Sequence, residues 1–346
     1  MNRRDFLHPR RLARTAGHVA VAFGDVSAPR TPPANTEVAL VRFSRRAMAT
    51  SFELALPFGT PNALAPAEAV FDLLDALEAQ LTVYRDTSEV ANVNRMAESA
   101  PVVVEPRLFE LLQTAAKITA ETDGAFDVTA GALIKVWGVF KGPRRVPATA
   151  ELGDTLQRVG MDGVALNEAQ RTVRYLKAGL EINLGSIGKG YALDRMAEVL
   201  RDEWKITTAL LQGGHSSVYA MGSPTENGRG WTVAVTHPWQ PGRRLAILHL
   251  RDRALATSAA TYQHLEHEGR KLGHILDPRT GWSAEGMASA SALAPTAAEA
   301  DALATAFFIL GVDKTKAYCK AHPEIGAVLL ANEPDARPVF LNIDPF

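Results

Sequence analysis

The sequence predicts an α+β protein with mostly antiparallel sheets and flanking helices. Short β-type runs bunch together between a few helices, where a parallel sheet would need strand and helix to alternate. The helices are marked by apolar residues three and four positions apart. No segment recurs at a fixed period, so solenoids and propellers are set aside. At 346 residues the chain is long enough to bury a large core, as one big domain or two lobes.

The first 36 residues stand apart from the body, which spans 37–346. Met1 to Leu7, with Arg3 and Arg4, resembles a twin-arginine export signal, and Arg10, Arg11 and Arg14 follow. The apolar stretch over 16–24 is short and holds His18, which makes the signal a weak one. The expectation is export to the periplasmic side; a basic tail on a cytoplasmic protein is the alternative. Pro32 and Pro33 suit a linker.

In the body, alternating apolar positions from Phe43 predict an opening strand over 42–57. Val70, Leu73, Leu74, Leu77 and Leu81 predict a helix over 66–81, and Leu108, Leu111, Leu112, Ala115 and Ile118 one over 106–122. Asp123-Gly124 ends the second helix as a turn. Strands follow over 164–166, 172–175 and 180–184, and a glycine-rich turn then leads into a helix over 189–204. Further strands are predicted over 208–211, 217–221, 231–236, 245–250, 271–276 and 288–293. A helix over 296–311, a short one over 314–320, and strands over 326–330 and 339–342 complete the chain.

Composition narrows the function. Hydrophobic residues at 47% and charged residues at 22% are ordinary for a globular protein. A net charge of -1 gives no reason to expect nucleic acid as a partner. Cys319 is the only cysteine, so neither an intrachain disulfide nor a cysteine metal site is expected. No apolar run reaches about 18 residues, so no integral membrane segment is expected.

Several blocks carry chemistry. On the 296–311 helix, Asp301 and Thr305 lie four apart and so share one face. A carboxylate and a hydroxyl side by side are hard oxygen donors suited to Mg²⁺, although the same spacing fits a solvated first turn. Asn183 to Asp194 reads as a strand, a turn with Gly185, Gly188 and Gly190, and a helix start, with Lys189 adding charge. Such a turn lets a phosphate approach the backbone at a helix N-terminus, or simply packs two helices tightly. It is neither the dinucleotide fingerprint nor a Walker A loop, since Gly190 stands where Ser or Thr is required. His274, in Gly273 to Gly281, is a residue type that exchanges protons near neutral pH; lone histidines are more often structural. Phe126 and Trp137, in the block Gly124 to Gly138, fit a core role, and Leu211 to Ser217 runs from a strand into a Gly213-Gly214 turn.

These blocks, in this order over roughly 41–346, resemble the ApbE-type FAD:protein FMN transferases. The resemblance rests on Met48-Ala49-Thr50; Thr82-Val83-Tyr84, Ser88-Glu89 and Asn94; and Gly124, Phe126, Asp127, Thr129, Trp137 and Gly138. It continues through the glycine–lysine block, Gly213-Gly214, Thr257-Ser258, His274 to Gly281, and Asp301 with Thr305. It implies a tandem T-fold-like architecture with an FAD cleft, and Mg²⁺ on the FAD pyrophosphate. The implied metal ligands are Asp301, Thr305 and the backbone carbonyl of Gly188. The implied flavin-binding residues are Met48, Tyr84, Asp127, Thr129, Gly185, Lys189, Gly213, Gly214, Ser258 and His274. The implied reaction moves FMN from FAD to a threonine hydroxyl of an acceptor protein and releases AMP. His274 is the candidate base, with Asp277 as its orienter or a ligand-side partner.

Asn183 stands where the family commonly has Asp, Ser186 where Gly is common, and His215 where Asp usually follows the Gly-Gly pair. The lipoprotein cysteine usual near the family's N-terminus has no counterpart, so lipid anchoring is not expected. Two other functions fit the same residues. One is an FAD pyrophosphatase giving FMN and AMP, with water as acceptor. The other is a non-catalytic FAD-binding protein. Dependence of AMP release on an acceptor protein separates them.

Overall fold

A computed structural model of the chain describes residues 38–139, 143–225, 228–240, 242–259 and 265–344. The basic tail and its export-type motif lie outside the described residues. Strands β1 (Leu40–Ala47) and β2 (Thr50–Pro57) open the fold, followed by helices α1 (Leu64–Leu81) and α2 (Glu89–Met96), strand β3 (Val102–Val103) and helix α3 (Pro106–Glu121). Helices α4 (Gly131–Trp137) and α5 (Thr149–Leu156) precede β4 (Val164–Asn167), β5 (Thr172–Tyr175) and α6 (Gly188–Asp202). Then come β6 (Ala209–Gly213), β7 (Ser217–Met221), β8 (Trp231–Thr236), β9 (Arg244–Leu250) and β10 (Arg253–Ala259). Short strands β11 (Leu265–His267) and β12 (Arg270–Leu272) lead to β13 (Met287–Ala294), α7 (Ala297–Ala321), β14 (Gly326–Ala331) and β15 (Val339–Leu341).

The main sheet has eight strands in the order β1-β2-β6-β7-β10-β13-β14-β15, and every neighbouring pair is antiparallel. Both faces are covered, which is why its strands read as nearly continuous apolar runs. Leu54 and Leu56 of β2, Leu211 of β6 and Ala256 of β10 join the core shared with the helices. Their alternates Ala55, Leu210 and Leu255 join a second cluster with Trp231, Val235 and Leu248 of the β8–β9 ribbon. Each fully buried Leu or Phe contributes about 1.5–3 kcal/mol relative to leaving it exposed. On the helical face α7 lies against β10 and β13, α6 against α7, and α1 against α6. A small sheet, β3-β5-β4, sits beside this core. Phe126 and Trp137 are buried, as their core reading requires.

The α+β class and the antiparallel pairing hold, while several elements differ from expectation. The opening strand is a hairpin: Met48 and Ala49, at φ 49° and 60°, form the turn that joins β1 to β2. Residues 180–184 are extended, but their ladder contact among the described residues is a single parallel bridge between Ala130 and Glu181. The strand expected over 271–276 pairs through β12, with a separate bridge from Leu276 to Ser283. Strand β10 and helices α2, α4 and α5 had no counterpart in the sequence reading. The helices over 296–311 and 314–320 are one element broken at Gly311, whose φ of 73° and ψ of -173° are not helical.

Candidate functional site

The site is assembled where the glycine turn, the start of α7 and the ends of the central strands meet. Asn183 donates its N–H to the Val128 carbonyl at 2.7 Å, and its side-chain oxygen accepts the Gly185 N–H at 2.9 Å. An amide oxygen closes that turn as a carboxylate would, so the departure from Asp leaves the turn intact. Gly188 opens α6 and donates to the Leu184 carbonyl at 2.7 Å. A Cβ on Gly190 would overlap the Ala297 carbonyl oxygen, so glycine is what lets α6 cross the first turn of α7.

That first turn is held from two sides. Thr296 caps its own helix by accepting the Glu299 N–H at 3.2 Å. From α6, the Asp194 carboxylate accepts the N–H groups of Ala297 and Ala298 at 2.7 and 2.8 Å. A carboxylate at a helix N-terminus is favourable twice, through the bonds and through the dipole. Burial nevertheless pushes the Asp194 pKa up to about 7, against the pull of those two donors.

One turn further on, Asp301 is 6% exposed. Its Oδ1 accepts from Ser217 Oγ at 3.1 Å, its Oδ2 from the Gly190 N–H at 3.2 Å, and Lys189 Nζ lies 3.2 Å from both oxygens. Thr305 stands on the same face, its hydroxyl 3.2 Å from Ser258 Oγ and 3.4 Å from the Asp301 carbonyl. Asp301, Thr305, Ser258, Gly190 and Lys189 are thus brought together. Ser217 belongs with them and was missed; a hydroxyl next to a Gly-Gly turn was its only signal.

The donor set here is one carboxylate, Asp301, and the hydroxyls of Thr305, Ser217 and Ser258. Among the described residues no group of three or more His, Cys, Asp or Glu side chains is placed to hold a metal. An all-oxygen set with a single carboxylate suits Mg²⁺ completed by substrate phosphates and water, and does not suit zinc or copper.

The remaining candidates divide. Gly214 donates to the Ser51 carbonyl at 2.8 Å, and Gly213 pairs with Phe52, so the Gly-Gly turn lies beside the Met48 hairpin turn. Met48 packs partly against the main core. His274 is half-buried, and its Nδ1 is a buried nitrogen without a hydrogen-bond partner. Burial first, then the charges of Arg144 and Lys189, hold its pKa below the ordinary histidine range. Asp277 does not orient it: both carboxylate oxygens are taken by Arg279, at 2.8 and 2.7 Å, and its backbone closes the turn to Gly281. Asp127 and Thr129 are also engaged within the fold. Asp127 accepts from the Thr129 hydroxyl at 2.6 Å and the Met161 N–H at 2.9 Å, and Thr129 accepts the Gly160 N–H at 2.7 Å. Both are buried, and burial raises the Asp127 pKa. They latch the loop before β4, which is a structural duty. Tyr84 is 51% exposed, with its ring open to a ligand or partner. Trp137 donates to the Gly281 carbonyl at 2.8 Å and meets Trp282 edge-on at 5.6 Å, joining the Gly124–Gly138 and His274–Gly281 blocks.

Comparison with known proteins identifies the chain's relatives. The model of the ApbE family matches residues 48–329. The chain is 34% identical over 284 residues to an FAD:protein FMN transferase of Treponema pallidum (strain Nichols), covering 78% of this chain and 77% of that protein. It is 30% identical over 271 residues to an FAD:protein FMN transferase of Klebsiella pneumoniae (strain 342), covering 78% and 83%. Its fold superposes on the crystal structure of the ApbE protein from Thermotoga maritima with a TM-score of 0.78 at 26% identity, covering 87% of this chain and 97% of that one.

Proposed function

The chain belongs to the ApbE family, and we propose that it is an Mg²⁺-dependent FAD:protein FMN transferase, moving FMN from FAD to a threonine hydroxyl of an acceptor protein. The observation that carries this reading is the buried Asp301 carboxylate, with Thr305 on its face, set against the glycine turn by the Gly190 N–H.

Asp301, Thr305 and the Gly188 carbonyl would hold the ion. When bound, Mg²⁺ supplies neutralisation of charge on the phosphate oxygens and stabilises the leaving group. The N-terminus of α6 and Lys189 favour the pyrophosphate. The acceptor hydroxyl forms a new P–O bond to the FMN phosphorus, the bond to the AMP phosphate breaks, and the hydroxyl proton needs a base. His274 fits that role because its depressed pKa keeps it neutral at pH 7, with a lone pair to accept the proton. The Arg3-Arg4 motif supports a reaction on the exported side of the membrane.

AMP release from FAD in the presence of Mg²⁺, with and without an acceptor protein, tests the proposal. Acceptor-dependent AMP with flavin fluorescence on the denatured acceptor is the expected result. AMP without labelling would make the protein a pyrophosphatase, and bound FAD with no AMP a binding protein.

A further inference from the structure

We infer that Lys189 is a resident cation on Asp301 that must leave before a divalent ion can bind, and that it then serves the FAD phosphates, so metal and FAD bind cooperatively. The inference rests on the metal reading of Asp301 given above.

A carboxylate has about four lone-pair positions. On Asp301 all are in use: Lys189 and Ser217 on Oδ1, Lys189 and the Gly190 N–H on Oδ2. A metal ion needs one of these donors gone. The Gly190 N–H is fixed in the first turn of α6, and Ser217 is a short side chain on a buried strand. Lys189 alone has a long flexible stem, and its side chain is 24% exposed, against 8% for Asp301. It is the donor that can move.

Charge then decides when it moves. Lys189 and Asp301 cancel each other. A divalent cation added to that pair leaves an excess of positive charge in a partly buried place, near His274, which already feels the charges of Lys189 and Arg144. FAD carries one negative charge on each phosphate of its pyrophosphate, which cancels the excess and gives the released ammonium a partner. Binding of either ligand therefore strengthens binding of the other, and by linkage the factor is the same in both directions.

Mn²⁺ titration of the full-length protein, followed by electron paramagnetic resonance with and without FAD and without any acceptor, reads this directly. The wild-type chain is expected to bind Mn²⁺ at least about tenfold more tightly with FAD present, within the usual range of coupling between sites. Lys189→Met is expected to tighten Mn²⁺ binding to the FAD-free protein by a similar factor and to remove most of the FAD effect. Lys189→Arg, which keeps the charge, is expected to preserve the wild-type pattern, and Lys189→Gln, which removes it, stands in if the Met variant fails to fold. Equal Mn²⁺ affinity with and without FAD in the wild type, or a Met variant no tighter than wild type, overturns the inference and leaves the metal reading standing. No Mn²⁺ binding by the wild type under either condition, or full binding by Asp301→Ala, overturns the metal reading and this inference together.

Discussion

Replacing Gly190 by Ala puts a methyl group into a place where the crossing of α6 and α7 has no room for it. The new Cβ would overlap the Ala297 carbonyl and lie 2.8 Å from the Ala298 nitrogen, and both neighbours are backbone atoms that cannot swing aside. The helices must part by roughly an ångström, an overpacking strain of about 1–3 kcal/mol. Parting them also breaks the Gly190 N–H bond to Asp301, and a hydrogen bond to a charged group is worth about 1.5–3 kcal/mol. Alanine returns about 1 kcal/mol of helix propensity. The net loss is about 1.5–5 kcal/mol, read as a fall in Tm of roughly 3–15 °C. Because the same shift moves Asp301 relative to the glycine turn, kcat is expected to fall on the order of 100-fold. Thermal melting and FAD-dependent AMP release are the assays. Gly153→Ala is the control: Gly153 sits exposed in α5 with nothing within 4 Å of a new Cβ, and its variant is expected to gain up to about 1 kcal/mol. A Gly190→Ala protein that melts and turns over like wild type would refute the helix-crossing argument.

Asp301→Ala should abolish Mg²⁺-dependent AMP release while leaving measurable FAD binding; full activity in that variant sinks the metal assignment. His274 acts as base only when neutral, so activity falls as pH drops through its pKa, and since burial lowers that pKa the acid limb should lie below about pH 6.5. His274→Gln should cost about 10²–10⁴ in rate and lose that limb, and a limb above the ordinary histidine value would contradict the reading. Asp194→Ala leaves two N–H groups of α7 without their acceptor and should cost about 1–2 kcal/mol in thermal or urea unfolding. The raised Asp194 pKa means the folded chain keeps a proton that the unfolded chain releases. Its contribution to stability is therefore full below about pH 4 and is lost as pH rises towards 7, a dependence the alanine variant should lack. Asn183→Asp should leave stability within about 0.5 kcal/mol, because either side chain can accept the Gly185 N–H; a large loss would show that the amide does more than close the turn.

Long, strongly periodic elements were legible in the sequence, as α1, α3, α6 and the break at Gly311 illustrate. Turn chemistry was less so: Met48-Ala49 bends the chain at positive φ without the Gly or Asn that usually signals a hairpin, and the strand pair read as one strand. Strand β10, Arg-Ala-Leu-Ala-Thr-Ser-Ala, is alanine-rich because both its faces are closely covered, so it carries little β-propensity of its own. Helices α2, α4 and α5 run only 8, 7 and 8 residues, too few turns for periodicity to stand out. At the site, spacing along one helix put Asp301 beside Thr305. It could not put Lys189, 112 positions away in sequence, on that carboxylate, nor Ser217, which arrives from a strand. Sequence blocks also could not show that Asp127 and Thr129 are tied to Gly160 and Met161 within the fold.

The intact mass of a denatured acceptor protein, after incubation with this enzyme, FAD and Mg²⁺, is the most direct test of the proposed transfer. The account predicts the gain of one FMN moiety on a single threonine, lost when that threonine becomes alanine and absent with Asp301→Ala. An acceptor of unchanged mass, while FAD is still split to FMN and AMP, would contradict it.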